Sequence, residues 1–149
     1  MPYRSAVEAG IRVALSSDNP CTTEPSPLLA LWESVHRRTR PIGSGKGKGI
    51  PSYVYNHPDK NGVVYDERVD INQAIRGHTI DAAYAGFEDD RKGSIEGGKL
   101  ADLVIWDADI RRAGDRIRVT EAVKFKPVMT IIDGKIVYQD RSSVRVRKV

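Results

Sequence analysis

A single cysteine, Cys21, stands among 149 residues. That excludes an internal disulfide and any zinc site built on cysteines, and it points to a reducing, cytoplasmic compartment. Long apolar runs are missing as well. The longest, Leu28-Leu29-Ala30-Leu31-Trp32, falls far short of the ~18 residues of a membrane span. Residues Met1 to Glu8 carry no apolar stretch of the signal-peptide kind. A large excess of one charge is also absent. Lys and Arg number 24 against 20 Asp and Glu, a net charge of +4. So small an excess predicts a mixed-sign solvated surface rather than a nucleic-acid footprint. The basic residues Arg37, Arg38, Arg40, Lys46 and Lys48 and those of the tail are scattered, with no DNA- or RNA-binding motif around them. No internal repeat is visible.

What remains is an ordinary globular mixture, 40% hydrophobic and 30% charged. The length fits one domain of roughly 100–200 residues. Residues 2–9 are helix formers that stop at Gly10, a residue suited to a helix C-terminus. Ile11-Arg12-Val13-Ala14-Leu15 follows as a short β-branched strand, and Ser16-Ser17-Asp18 as the polar loop beyond it. This is one unit of an α/β fold. Pro20, Pro25 and Pro27 keep the next stretch out of helix. Leu28, Leu29, Leu31, Trp32 and Val35 then recur at helical spacing.

Residues 41–66 change character. Gly43 to Gly49 alternates glycine with Ser and Lys and reads as a mobile loop. Asn61-Gly62 between Tyr53-Val54-Tyr55 and Val63-Val64-Tyr65 suggests a hairpin. Asp70 followed by Gln73 has the form of a capping box. Gly77 should break that helix, and Thr79 should cap the next one. After Gly93 the pattern turns to strands: Leu100 to Trp106, then Val128 to Tyr138 folded about Asp133-Gly134, a type I′ turn pair.

Most motifs with chemical content fail. No register of residues 43–49 gives G-x-x-x-x-G-K-[ST] or G-x-G-x-x-G, and the loop follows a helix rather than a strand. His36, His57 and His78 form neither H-x-H nor H-E-x-x-H. Asp59, Asn61 and Gly62 lack the rest of a calcium loop, and Glu88-Asp89-Asp90 reads as a solvated acidic turn. Asp18 is the exception, because of its place. It sits just past the C-terminal end of a strand, where α/β sheets and barrels collect catalytic groups. A carboxylate there can ligate a metal or take a proton from metal-bound water. Asp before Asn-Pro is equally a turn starter.

Four segments also carry a family resemblance. Ala9-Gly10-Ile11-Arg12-Val13-Ala14-Leu15-Ser16-Ser17-Asp18-Asn19-Pro20 resembles the A-G-V-x-V-A-x-G-S-D-x-P segment of the amidohydrolase superfamily. Ala74 to Ala83 is similar to its A-L-x-x-x-T-x-N-x-A helix pair, with Asp81 in the Asn position. Lys92-Gly93-Ser94-Ile95-Glu96-Gly97-Gly98-Lys99-Leu100-Ala101-Asp102-Leu103-Val104 resembles its K-G-S-I-x-x-G-K-x-A-D-L-V signature, and Thr130 to Tyr138 its closing hairpin. The matches come in family order. The branch resembled is the amidohydrolase type 3 group, which includes N-substituted formamide deformylase-like enzymes.

The resemblance implies a (β/α)8 barrel with a small β-sandwich. Residues 1–92 would be the end of the barrel, with Ile11–Leu15 its last strand. Residues 93–149 would be the C-terminal part of the sandwich plus a basic tail. The implied activity is metal-dependent hydrolysis of C–N bonds in small amide-type substrates, with a divalent metal, often zinc, that activates water. The resemblance makes Asp18 the metal ligand and proton carrier. The family's H-x-H pair and middle-strand ligands have no counterpart here, and a barrel needs about 200 residues or more. The chain therefore reads as a C-terminal portion whose partner is the missing N-terminal barrel segment. Such a piece is expected to be inactive alone, with its most stable part in residues 93–139. Two other readings stay open: a non-catalytic interaction module, and a basic nucleic-acid-binding protein.

Overall fold

The computed structural model describes residues 2–16, 26–37, 60–62, 66–114, 124–140 and 142. Four helices precede a three-stranded sheet: α1 (Tyr3–Glu8), α2 (Pro27–His36), α3 (Ile71–His78), α4 (Ile80–Ala85), β1 (Leu103–Trp106), β2 (Pro127–Ile132) and β3 (Lys135–Gln139). A 3₁₀ turn, Ile110–Gly114, follows β1. The mixture of helix and strand is that of an α/β protein.

The helix ends explain themselves locally. Gly10, at φ +78°, closes α1. Its N–H donates to the Val7 carbonyl and that of Ile11 to Ala6, both at 3.0 Å. This pair of bonds is a Schellman motif. At α2, the Ser26 hydroxyl accepts from the Leu29 amide, and Pro27 takes the first helical position. The capping box expected at α3 is present: Gln73 N–H donates to Asp70 Oδ1 at 2.9 Å, and Asp70 N–H to Gln73 Oε1 at 3.0 Å.

Two local expectations are corrected. Gly77 does not break α3, which runs on to His78. The break falls at Thr79, whose backbone leaves helical geometry at φ −125°, ψ −95°. Thr79 does not cap α4 with its side chain either. Its hydroxyl donates back to the Ile75 carbonyl at 2.8 Å, a bond that closes α3 instead. Glycine is required at 77 by packing. A Cβ there would lie 2.6 Å from the Tyr3 hydroxyl and 2.8 Å from Leu15 Cδ1.

The strand expected at Ile11–Leu15 forms no ladder among the described residues. Its far end is tied down by Leu15, whose N–H donates to the Gly77 carbonyl at 2.9 Å. Val13 is buried, while Ile11 is 59% exposed. A β-branched alternation needs neighbouring strands to become a ladder, and the described residues supply none beside it.

The sheet runs β1-β2-β3, antiparallel throughout. Asp133 and Gly134, at φ +50° and +74°, form the turn between β2 and β3. Two positive φ values are what a type I′ hairpin demands. Asp102 and Asp107 bracket β1. Asp102 Oδ1 accepts the Asp133 amide at 2.8 Å, and Asp107 Oδ1 the Lys126 amide at 2.9 Å.

The core lies among the helices. Tyr3, Val13, Leu28, Leu31, Val69 and Ala74 pack together, with Trp106, Ile110 and Phe125 against them. Every residue of β3 is exposed. Among the described residues, the buried side chains all precede residue 93.

The expected hairpin flanks 53–55 and 63–65, the glycine loop 43–49, Cys21, Arg38, Arg40, His57 and Asp59 lie outside the described residues, as does the tail apart from Ser142.

Candidate functional site

Asp18, the residue singled out from the sequence, also lies outside the described residues. Its approach is described as far as Ser16. The segment leading to it is held from three sides. Leu15 seats against Gly77. Val13 is buried in the core. The Arg12 guanidinium lies 4.3 Å above the Tyr84 ring and 3.1 Å from Asp89 Oδ2. The last two contacts combine a cation–π interaction with an ion pair.

The phenol of Tyr3 lies beneath this segment, donating to the Gln73 carbonyl at 3.1 Å. Burial, with Asp81 and Asp70 nearby, pushes its pKa up to about 12. The group stays a neutral donor and offers no general base at physiological pH.

The histidines do not come together. His36 stacks on Trp32, ring centroids 4.5 Å apart, and its Nδ1 lies 2.9 Å from the Trp32 carbonyl. His78 lines a groove of about 810 Å³ between α2, α3, α4 and β1, mostly apolar and open to solvent. Its Nε2 is buried without a hydrogen-bond partner among the described residues. Burial holds the imidazole below its usual pKa, so the ring is neutral. An unpaired buried polar atom of this kind costs about 1–3 kcal/mol. A lone histidine on a helix carries no motif, so sequence reasoning alone does not reach this buried nitrogen.

No three His, Cys, Asp or Glu side chains among the described residues are placed to hold a metal ion. Structural zinc takes four ligands, and catalytic zinc three plus water. The described residues therefore do not fit a metal site, and Asp18 could add only one ligand.

The Lys92–Val104 signature has a structural explanation. Gly93, at φ +92°, turns so close to α4 that a Cβ would meet Ala83 Cβ and Ile80 Cα, each at 2.8 Å. The Lys99 ammonium, its side chain 13% exposed, then gathers the loop. It donates to the Asp89 carbonyl and Ser94 Oγ, both at 2.6 Å, and lies 3.4 Å from Glu96 Oε1. Asp102 ties the following strand to the hairpin turn. The motif fixes a fold. Glu88 of the acidic turn pairs with Lys92, and Asp89 with Arg12.

Comparison with known proteins gives a consistent picture. A model of the amidohydrolase family matches residues 1–138. N-substituted formamide deformylase from Arthrobacter pascens is 33% identical over 143 residues, which are 95% of this chain and 22% of that protein. Imidazolonepropionase from Treponema denticola is 35% identical over 109 residues, 72% of this chain and 19% of that protein. A crystal structure of an amidohydrolase from Thermotoga maritima MSB8 superposes with a TM-score of 0.53 at 20% identity, covering 90% of this chain and 24% of the other. The chain thus spans about a fifth of the length of these curated relatives. No helix among the described residues is long and apolar enough to cross a membrane.

Proposed function

The chain belongs to the amidohydrolase family, and from that we propose that it is the C-terminal portion of a cytoplasmic metal-dependent hydrolase of C–N bonds in small amide-type molecules. The observation that carries this reading is the match to a formamide deformylase along nearly the whole chain. In this reading residues 1–92 close a (β/α)8 barrel, and residues 93–149 belong to the small β-sandwich. Ile11–Leu15 becomes a strand once its barrel neighbours are present, which accounts for its lack of a ladder here. Asp18 is the carboxylate the chain contributes to the reacting centre. The histidine ligands and the rest of the barrel come from the remaining polypeptide. The substrate class is that of an N-substituted formamide, by likeness to the Arthrobacter relative.

Metal analysis and an amidase assay test the reading. The chain alone should hold no stoichiometric zinc and hydrolyse no N-substituted formamide, because one carboxylate falls short of the three protein ligands zinc needs. Assembled with the rest of a family enzyme, the pair should turn over, and Asp18→Asn should cut kcat strongly while the fold persists. One zinc per isolated chain together with metal-dependent hydrolysis would overturn the partial-enzyme reading. Near-normal turnover in the Asn variant would return Asp18 to a turn role.

A further inference from the structure

We propose that Asn61 is a site of spontaneous covalent modification that the fold leaves open. The amide nitrogen of Gly62 attacks the Asn61 side chain, and the chain comes to carry aspartate or isoaspartate there. The inference concerns a turn that the family reading leaves unused, and it is independent of any catalytic role.

The sequence isolates the residue. Of four asparagines, only Asn61 precedes a glycine. Asn19 precedes a proline, which has no amide N–H to act as a nucleophile. Asn72 lies inside α3, where the next amide, that of Gln73, donates to Asp70 Oδ1 at 2.9 Å. Asn61 and Gly62 are both exposed, so water and hydroxide reach them. Gly62 stands at φ +78°, and a Cβ there would meet nothing within 4 Å. With no side chain at 62 and no packing around it, the backbone has room to swing its nitrogen toward the Asn61 carboxamide.

The step balances with water alone. The Gly62 amide proton passes to hydroxide. The nitrogen bonds to Asn61 Cγ, and the Cγ–Nδ2 bond breaks, releasing ammonia that takes its proton from water. The product is a five-membered succinimide. Water then opens the ring at either carbonyl. Opening at Cγ leaves aspartate, and opening at the backbone carbonyl leaves isoaspartate, with the chain routed through Cγ. Nothing is oxidised or reduced. Either product lowers the net charge of +4 by one.

The hairpin turn Asp133-Gly134 shows the opposite condition. Its Gly134 amide donates to the Ala101 carbonyl at 3.2 Å, and its Asp133 amide to Asp102 Oδ1 at 2.8 Å. Paired strands on both sides hold the two residues at φ +50° and +74°. The nitrogen is engaged and the turn is held. Among the described residues, no carbonyl receives the Gly62 amide.

The test ages the full chain at pH 8.5 in buffer and in concentrated urea. Peptide mapping by mass spectrometry follows each site, and an isoaspartate-specific methylation assay identifies the product. A variant, Asp133→Asn, places the same Asn-Gly pair in the hairpin. In buffer Asn61 should convert to isoaspartate and aspartate at a rate within about threefold of that in urea. Position 133 of the variant should convert about tenfold or more slowly than Asn61 in buffer, and approach it in urea. Gly62→Ala should slow the change at Asn61 about tenfold or more. An Asn61 that stays intact in buffer while it converts in urea would overturn the proposal. Equal rates at 61 and 133 in buffer would overturn it too, since the fold would then have no part in choosing the site. So would a Gly62→Ala variant that converts as fast as the parent.

Discussion

Leu15 occupies the space that a side chain on residue 77 would need. Its Cδ1 would lie 2.8 Å from a Cβ on Gly77, while its amide donates to the Gly77 carbonyl at 2.9 Å. The contact joins the segment that leads to Asp18 to the last turn of α3. Gly77→Ala should therefore destabilise the chain by about 1–3 kcal/mol, although alanine is the better helix former. Leu15→Ala should cost less in the Gly77→Ala background than alone, because it withdraws both clashing atoms of Leu15, Cγ and Cδ1. Urea midpoints of the four proteins check it. A neutral or stabilising Gly77→Ala would mean that Leu15 does not hold this position.

Tyr3 predicts an alkaline limit. Its folded pKa, near 12, lies above the ordinary value of 10.0. The stabilisation is complete below pH 10 and is lost as pH rises toward 12, since the unfolded chain gives up the proton first. The loss amounts to about 2 kcal/mol. Tyr3→Phe should flatten the stability profile across that window, at a cost of about 0.5–1.5 kcal/mol at neutral pH for the lost bond to Gln73.

His78 predicts the opposite slope on the acid side. Burial lowers its folded pKa, so the neutral ring contributes stability above the unfolded value of about 6.5. That contribution is lost as pH falls below it, because the unfolded chain takes up the proton more readily. Denaturant midpoints at pH 7.5 and pH 5 should differ less in His78→Leu than in the parent. An equal difference would remove His78 from the account.

Lys99 gathers the loop from Asp89 to Glu96. Lys99→Met keeps the apolar stem but strands the Asp89 carbonyl and leaves the Ser94 hydroxyl only its bond to Glu96, at a cost of about 1.5–3 kcal/mol. Amides in residues 89–96 should exchange faster in this variant, and those of α3 should not. Lys99→Arg should fail to restore protection, since a planar guanidinium cannot reproduce the ammonium's contacts in so confined a site.

Features encoded over a few residues were legible in the sequence. The Asp70–Gln73 box, the turn at Asp133-Gly134 and the end of α1 at Gly10 each follow from local hydrogen bonding and allowed φ. Features set by distant contacts were not. Gly77 reads as a helix breaker until Tyr3 and Leu15 are seen to press on it. Ile11–Leu15 reads as a strand because its residues suit one, whereas its ladder depends on partners elsewhere. The expectation that residues 93–139 are the most stable part came from the missing barrel neighbours of Ile11–Leu15, and it could not take account of the core that Val13 and Leu15 find among the helices. Of the candidate residues, Asp18 is singled out by its position and by family resemblance and lies outside the described residues, and the buried nitrogen of His78 is visible only by its surroundings.

Several polar anchors of the first sixteen residues fall on residues 67–89. Ser5 binds Glu67, Tyr3 binds Gln73, Leu15 binds Gly77, and Arg12 meets Tyr84 and Asp89. Each closes a loop of some sixty residues or more, and such closures cost entropy before any contact repays it. A ribosome emits residues in order, about 5–20 each second. Several seconds therefore pass between the emergence of α1 and the arrival of the residues that secure it. During that interval Val13 and Tyr3 have no core to enter, and the segment from Tyr3 to Leu15 stays open to chaperones and proteases.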